Sequence, residues 1–195
     1  LKQNQEDYIA LNTLGLILIS LKRTNEAKNT FIRAIEVNPK YFSSYNNLGH
    51  CYTLLDNREK SFEAFNKALT LNPSSTAIKN NLANYFIDKG DYKKALNYYF
   101  EALKLDPNNN KFLFNIAIAY INLNNEDKAE EYFKKSYSLN PESETLHKNY
   151  SMLLLRQGRY KEAWKLFDGR LKLNAFHSKH GDMINITKKL SNKNE

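Results

Sequence analysis

The stretch "YNNLGHCYTLLDNREKSFEAFNKALTLNP", from Tyr45 to Pro73, decides the fold. It reads as one helix, a break at Asp56-Asn57, and a second helix stopped by Asn72-Pro73, since proline has no N–H with which to continue a helical ladder. The same punctuation recurs along the chain. Pro39, Pro73, Pro107 and Pro141 lie 34 residues apart, each preceded by Asn38, Asn72, Asp106 or Asn140. A fixed period of 34 with this punctuation predicts a stacked helix-turn-helix array.

Repeats counted from Tyr8, Phe42, Thr76, Asn110 and Glu144 align into columns with distinct packing chemistry. Column 8 holds Gly15, Gly49, Ala83, Ala117 and Ser151; column 20 holds Ala27, Ser61, Ala95, Ala129 and Ala163; column 27 holds Ala34, Ala68, Ala102, Ser136 and then Arg170. Small side chains there let two helix axes approach closely. Column 24 supplies a ring in every repeat, namely Phe31, Phe65, Tyr99, Phe133 and Phe167. Columns 7 (Leu14, Leu48, Leu82, Ile116, Tyr150) and 11 (Leu18, Tyr52, Phe86, Tyr120, Leu154) are expected to complete the core. Column 15 carries Asp56, Gly90, Asn124 and Gly158, which accept the left-handed conformation that ends a helix, with Lys22 the exception.

These residues resemble the tetratricopeptide repeat (TPR) family over about Tyr8 to Leu173. The resemblance implies an all-α, right-handed superhelical solenoid of about five helix-turn-helix repeats, spanning 8–41, 42–75, 76–109, 110–143 and 144–177, the fifth degenerate. Residues 1–7 are expected to end a preceding repeat, with Asn4 in the asparagine column and Gln5 in place of proline, so the array is expected to continue upstream. Residues 178–195 are expected to form a capping helix and tail, with Asp182 as cap and Met183, Ile186 and Leu190 at helical spacing.

At about 100° per residue, columns 2, 5, 6, 9 and 13 project away from the packed side of each first helix, onto the surface expected to line a concave groove. Column 6 is then a ladder of amides at Asn47, Asn81, Asn115 and Asn149, with Asn46, Asn80, Asn84 and Lys111 beside it. An amide both donates and accepts, so such a ladder suits the main chain of an extended peptide without reading its side chains. Duplication of an ancestral unit, or bonding between repeats, is the competing account of the column; the binding ladder is favoured because asparagine is costly in a helix interior. The ladder resembles that of the TPR arrays of O-linked N-acetylglucosaminyltransferases, which implies that Asn47, Asn81, Asn115 and Asn149 grip polypeptide. The carboxylate clamp of chaperone-binding TPR proteins is a poorer match, since its positions are occupied here by Asn46, His50, Asn81, Lys111 and Asn115 and two of its three basic residues are missing.

Charge and composition exclude other classes. The net charge of +8 rests on 29 Lys and Arg, yet neither arginines nor stacked aromatics cluster as nucleic-acid readers do. The longest apolar run, Leu14 to Leu21, is far short of a bilayer span, so no membrane insertion is expected and a cytoplasmic location is assigned. The single Cys51 forms no internal disulfide and leaves no cysteine-based metal site. His177 and His180 lack a carboxylate or thiol to complete a metal site, and helical rotation turns Cys51 away from His50, so no catalytic residue, metal or cofactor is expected. The segment "LLLRQGRYKEAWKLFDGRLKLN", with Tyr160, Trp164 and Arg170, resembles the last repeat before the catalytic domain of bacterial TPR glycosyltransferases. The expectation is a non-catalytic scaffold holding an extended segment of a protein or peptide in its groove. The alternatives are the acceptor-recognition arm of a multidomain glycosyltransferase and a self-assembling, homo-oligomeric scaffold.

Overall fold

The computed structural model describes residues 2–173, with side chains described from 8 to 167. It has ten helices and no strand among the described residues. They run α1 (Lys2–Ser20), α2 (Thr24–Val37), α3 (Phe42–Leu54), α4 (Arg58–Leu71), α5 (Thr76–Asp88), α6 (Tyr92–Leu105), α7 (Asn110–Asn122), α8 (Glu126–Leu139), α9 (Glu144–Arg156) and α10 (Tyr160–Leu173). Consecutive helices pack as pairs. The chain divides into two compact units, Leu1–Pro107 with three pairs and Asn108–Glu195 with two.

Each pair is joined by the same turn. The column-15 residue takes a left-handed backbone in all five repeats, with φ of 59° at Lys22, 53° at Asp56, 56° at Asn124 and 74° at both glycines. The next N–H reaches back to the column-11 carbonyl, from Arg23 to Leu18 at 2.8 Å and from Asp91 to Phe86 at 2.9 Å. This six-to-one bond satisfies a carbonyl that the helix end would otherwise leave bare. Lys22 is therefore an exception in residue type only, because the closing bond imposes the conformation on whatever side chain stands there. At the other junction the C-cap residues Asn38, Asn72, Asp106 and Asn140 extend with φ between −137° and −144°, and the prolines follow them.

The small columns bury as their packing requires: Ala27, Ala95 and Ala129, and Ala34, Ala68 and Ala102, are fully enclosed. A Cβ added to Gly15 or Gly49 would stand 2.5 or 2.7 Å from the ring of Phe31 or Phe65, so the absence of a side chain sets how closely those helices approach. Column 7 departs from expectation at Leu14, which is 46% exposed where Leu48 is 8% exposed. The reason is visible one repeat on. Leu48 and Cys51 bury against Leu18, Ala27 and Phe31 of the preceding pair, and α1 has no such pair before it among the described residues. Ile17 of α1 and Leu21 just after it are exposed with it.

α1 runs from Lys2, so Asn4 and Gln5 lie within that helix. The expected cap around Asp182, Met183, Ile186 and Leu190 lies outside the described residues, as do His177 and His180; so does the Arg170 side chain. Trp164 is half-buried and meets Phe167 edge-on, with ring centroids 5.7 Å apart.

Candidate functional site

The first compact unit holds an open cleft of about 460 Å³ between α3, α4 and α5. Its lining includes His50, Asp56 and Arg58 from one repeat and Asn81, Asn84, Tyr85 and Asp88 from the next. Asn81, Asn84 and Asp88 stand three and four residues apart on α5, and so share one face of that helix.

Two amides in this cleft are held by bonds inside the protein. Asn81 Nδ2 donates to Asn46 Oδ1 at 2.9 Å, across the junction of repeats 2 and 3. The Tyr99 hydroxyl donates to Asn84 Oδ1 at 2.6 Å. Tyr99 is 1% exposed, so its hydroxyl needs an acceptor, and Asn84 supplies it. What remains unused is Asn81 Oδ1, an acceptor, and Asn84 Nδ2, a donor; neither has a partner among the described residues. Tyr85 stacks on Phe62, with centroids 4.8 Å apart, and walls the cleft beside them. Arg58 Nε lies 3.2 Å from Asp56 Oδ1, whereas Asp88 has no ion pair among the described residues.

The other column-6 asparagines are placed in more than one way. Asn47 Nδ2 donates to Asn12 Oδ1 at 3.0 Å, as Asn81 does to Asn46, and column 5 of the preceding repeat is asparagine in both cases. Ser44 Oγ meets the same Asn12 oxygen at 3.5 Å. Repeat 4 has Phe114 at column 5, and Asn149 folds back on its own helix to donate to the Thr145 carbonyl at 2.8 Å. Asn80 and Asn115 are half-buried, and Lys111 is exposed. Asn46 thus acts as a support for Asn81. Sequence reasoning missed the support that Tyr99 gives Asn84, although one signal was present: Tyr99 is the only hydroxyl in a column of phenylalanines.

The candidate nucleophile pair is divided by the fold. Cys51 is buried, and that burial pushes its thiol up to about 11, while His50 is exposed in the cleft lining. Among the described residues no three His, Cys, Asp or Glu side chains converge as a metal site, and no helix is long and apolar enough to cross a membrane.

The repeated turn, the enclosed small columns and the paired helices define a helical-repeat protein. The sequence model of the tetratricopeptide repeat family matches residues 1–175, and the chain belongs to that family. No curated protein matches it. Among solved structures, PilF of Pseudomonas aeruginosa is similar with a TM-score of 0.81 at 22% identity, over 88% of this chain and 78% of that one. MamA of Desulfovibrio magneticus is similar with a TM-score of 0.78 at 16% identity, over 89% and 98%. YrrB, described as a TPR protein with an unusual peptide-binding site, gives 0.69 at 19% identity, over 96% and 95%. At such identities the likeness is one of fold.

Proposed function

We propose that the chain is a non-catalytic protein-interaction scaffold that holds an extended polypeptide segment in the cleft between α3, α4 and α5. The observation that carries this reading is the pair of oriented amides. Asn46 and Tyr99 take up one end of each, leaving an acceptor at Asn81 and a donor at Asn84, a turn apart on one helix face. A peptide main chain offers the complementary N–H and C=O at every residue, and an amide fixed beforehand loses little entropy on bonding to it. The family and the peptide-binding description of YrrB support the same reading.

The test is selection of displayed random peptides on the immobilised chain, followed by titration of the selected peptides against Asn84→Asp. That substitution keeps an oxygen for Tyr99, removes the free donor and adds a negative charge, so the titration is run at about 1 M salt, which screens the added charge. Affinity is expected to fall by about two- to tenfold, the worth of one hydrogen bond, with the melting temperature unchanged. Unchanged affinity in a folded variant would sink the reading.

A further inference from the structure

Two junctions in the first unit are built alike. Asn12 Oδ1 accepts from Asn47 Nδ2 at 3.0 Å, and Asn46 Oδ1 accepts from Asn81 Nδ2 at 2.9 Å. Asn47 Oδ1, like Asn81 Oδ1, is left without a partner among the described residues, so each junction offers a peptide main chain the same aimed acceptor. What differs is the flank. Residues three before and four after a given position share its side of a helix. Around Asn46 these are Ser43 and His50; around Asn12 they are Ile9 and Leu16.

Ile9 and Leu16 are 50% and 46% exposed. They stand in columns 2 and 9, on the side of α1 where α5 carries Asn84, and apart from Leu14 and Ile17, whose columns pack against the preceding pair in repeat 2. No free polar group interrupts them. The Thr13 hydroxyl donates to the Ile9 carbonyl at 2.9 Å, and the Ser20 hydroxyl to the Ile17 carbonyl at 2.7 Å. From Ile9 to Leu21 there is no ionisable side chain, although 26% of the chain is charged. A single exposed leucine needs no explanation, but apolar surface beside a fixed polar group has the composition of a binding site.

We propose that the polypeptide held in the first unit continues over α1 and seats a bulky apolar side chain on Ile9 and Leu16, with its main-chain N–H at Asn47. The proposal rests on the peptide-binding reading above and names what that peptide must contain, and where. Packed helix axes lie about 8–10 Å apart, which an extended chain covers in about three residues. The apolar residue therefore stands about three positions from the one that bonds Asn81. A charged side chain in its place would lose water against Ile9 and Leu16 with no ion pair to gain.

The experiment selects displayed random twelve-residue peptides on the full chain and, in parallel, on Leu16→Ser and Ile17→Ser, each checked by thermal melting. Should Leu16→Ser melt lower than wild type, Ile9→Ser serves in its place. The wild-type and Ile17→Ser pools are expected to share one position enriched in leucine, isoleucine, methionine or phenylalanine, and the Leu16→Ser pool to lose it while still yielding binders. Changing that residue to alanine in the best wild-type peptide should weaken binding to wild type about five- to tenfold, the effect of uncovering part of an aliphatic side chain, and binding to Leu16→Ser much less. A wild-type pool with no apolar position, or one that persists on Leu16→Ser, overturns the proposal while peptide binding stands. Loss of the apolar position on Ile17→Ser places the side chain on the other stripe of α1 and overturns it as well. Failure to select any binder on wild type removes both readings.

Discussion

Tyr99 and Asn84 are each unmatched in their own columns and meet each other in space. In the other repeats the column-24 ring is phenylalanine, and column 9 carries Leu16, His50, Ile118 or Met152. The pairing makes Tyr99→Phe informative. Removing the hydroxyl leaves no buried donor behind, so stability is expected to change by less than about 1 kcal/mol in urea denaturation. Peptide affinity should nonetheless fall, because Asn84 loses the bond that orients it.

Two other residues give opposite signs from neighbouring rules. Alanine normally improves a helix interior relative to glycine by about 1 kcal/mol. At Gly49, however, the new Cβ would lie 2.7 Å from Phe65, and such overpacking costs about 1–3 kcal/mol. Gly49→Ala is therefore expected to destabilise, measured as a lower midpoint of urea unfolding. At Lys22 the left-handed backbone penalises any Cβ, so Lys22→Gly is expected to stabilise by about 0.5–1 kcal/mol in the same assay.

Helix by helix, the chain starts its second helices in two ways. In repeats 2, 3 and 4 the N-cap is Asn57, Asp91 or Asn125, whose side chain accepts from the backbone N–H of Lys60, Lys94 or Lys128. The ammonium of that same lysine lies 5.9, 5.3 or 5.3 Å over the column-11 ring of Tyr52, Phe86 or Tyr120. In repeats 1 and 5 the ring is replaced by Leu18 or Leu154 and the lysine by Glu26 or Glu162. An arginine then stands at the cap position, and Arg23 and Arg159 grip those glutamates through two nitrogens each, at 2.6 to 2.8 Å. Cap, cation and ring therefore change together. Asp91→Ala should cost about 1 kcal/mol of stability, the ordinary worth of an N-cap, read by thermal melting.

Arg159 also ties α10 to α8 by donating to Glu130 at 2.7 Å, while Tyr150 donates to the same carboxylate at 3.4 Å. The Glu130 side chain is only 13% exposed. Burial alone would raise its carboxyl, but bonds from Arg159 and Lys134 outweigh that and hold it below the usual range; Arg159 holds Glu162 down as well. A depressed folded pKa means stability that is complete above the unfolded carboxyl value of about 4.3 and lost as pH falls through the lower folded value. The second unit is accordingly expected to weaken below about pH 4. Arg159→Ala should flatten that dependence, followed as the urea midpoint against pH.

Across the whole chain, the period and the turns were legible because each column obeys one rule in every repeat. Proline stops a helix wherever it stands, and a left-handed turn closes the same way around lysine as around glycine. The division after Pro107 was not legible, since Pro107 occupies its column as Pro39 and Pro73 do. Leu14 departs from its column for a related reason: a column records what a residue packs against in the average repeat, and no helix pair precedes α1 among the described residues. The asparagine ladder was visible as letters only. Asn47 and Asn81 bond the asparagine 35 positions earlier, and Asn149, with Phe114 in that place, bonds its own helix instead; Asn115 has Asn80 in that place without the same bond, so the letter there does not decide the outcome.

The contact of Trp164 with Phe167 has an optical consequence. Trp164 is the sole tryptophan, and it sits in the fifth repeat, within the second compact unit, on the same helix as Glu162. Excitation at the red edge of the protein's absorption band therefore addresses that unit alone. Shifts in its emission maximum would report on the second unit directly, with no label added and without signal from the cleft in the first.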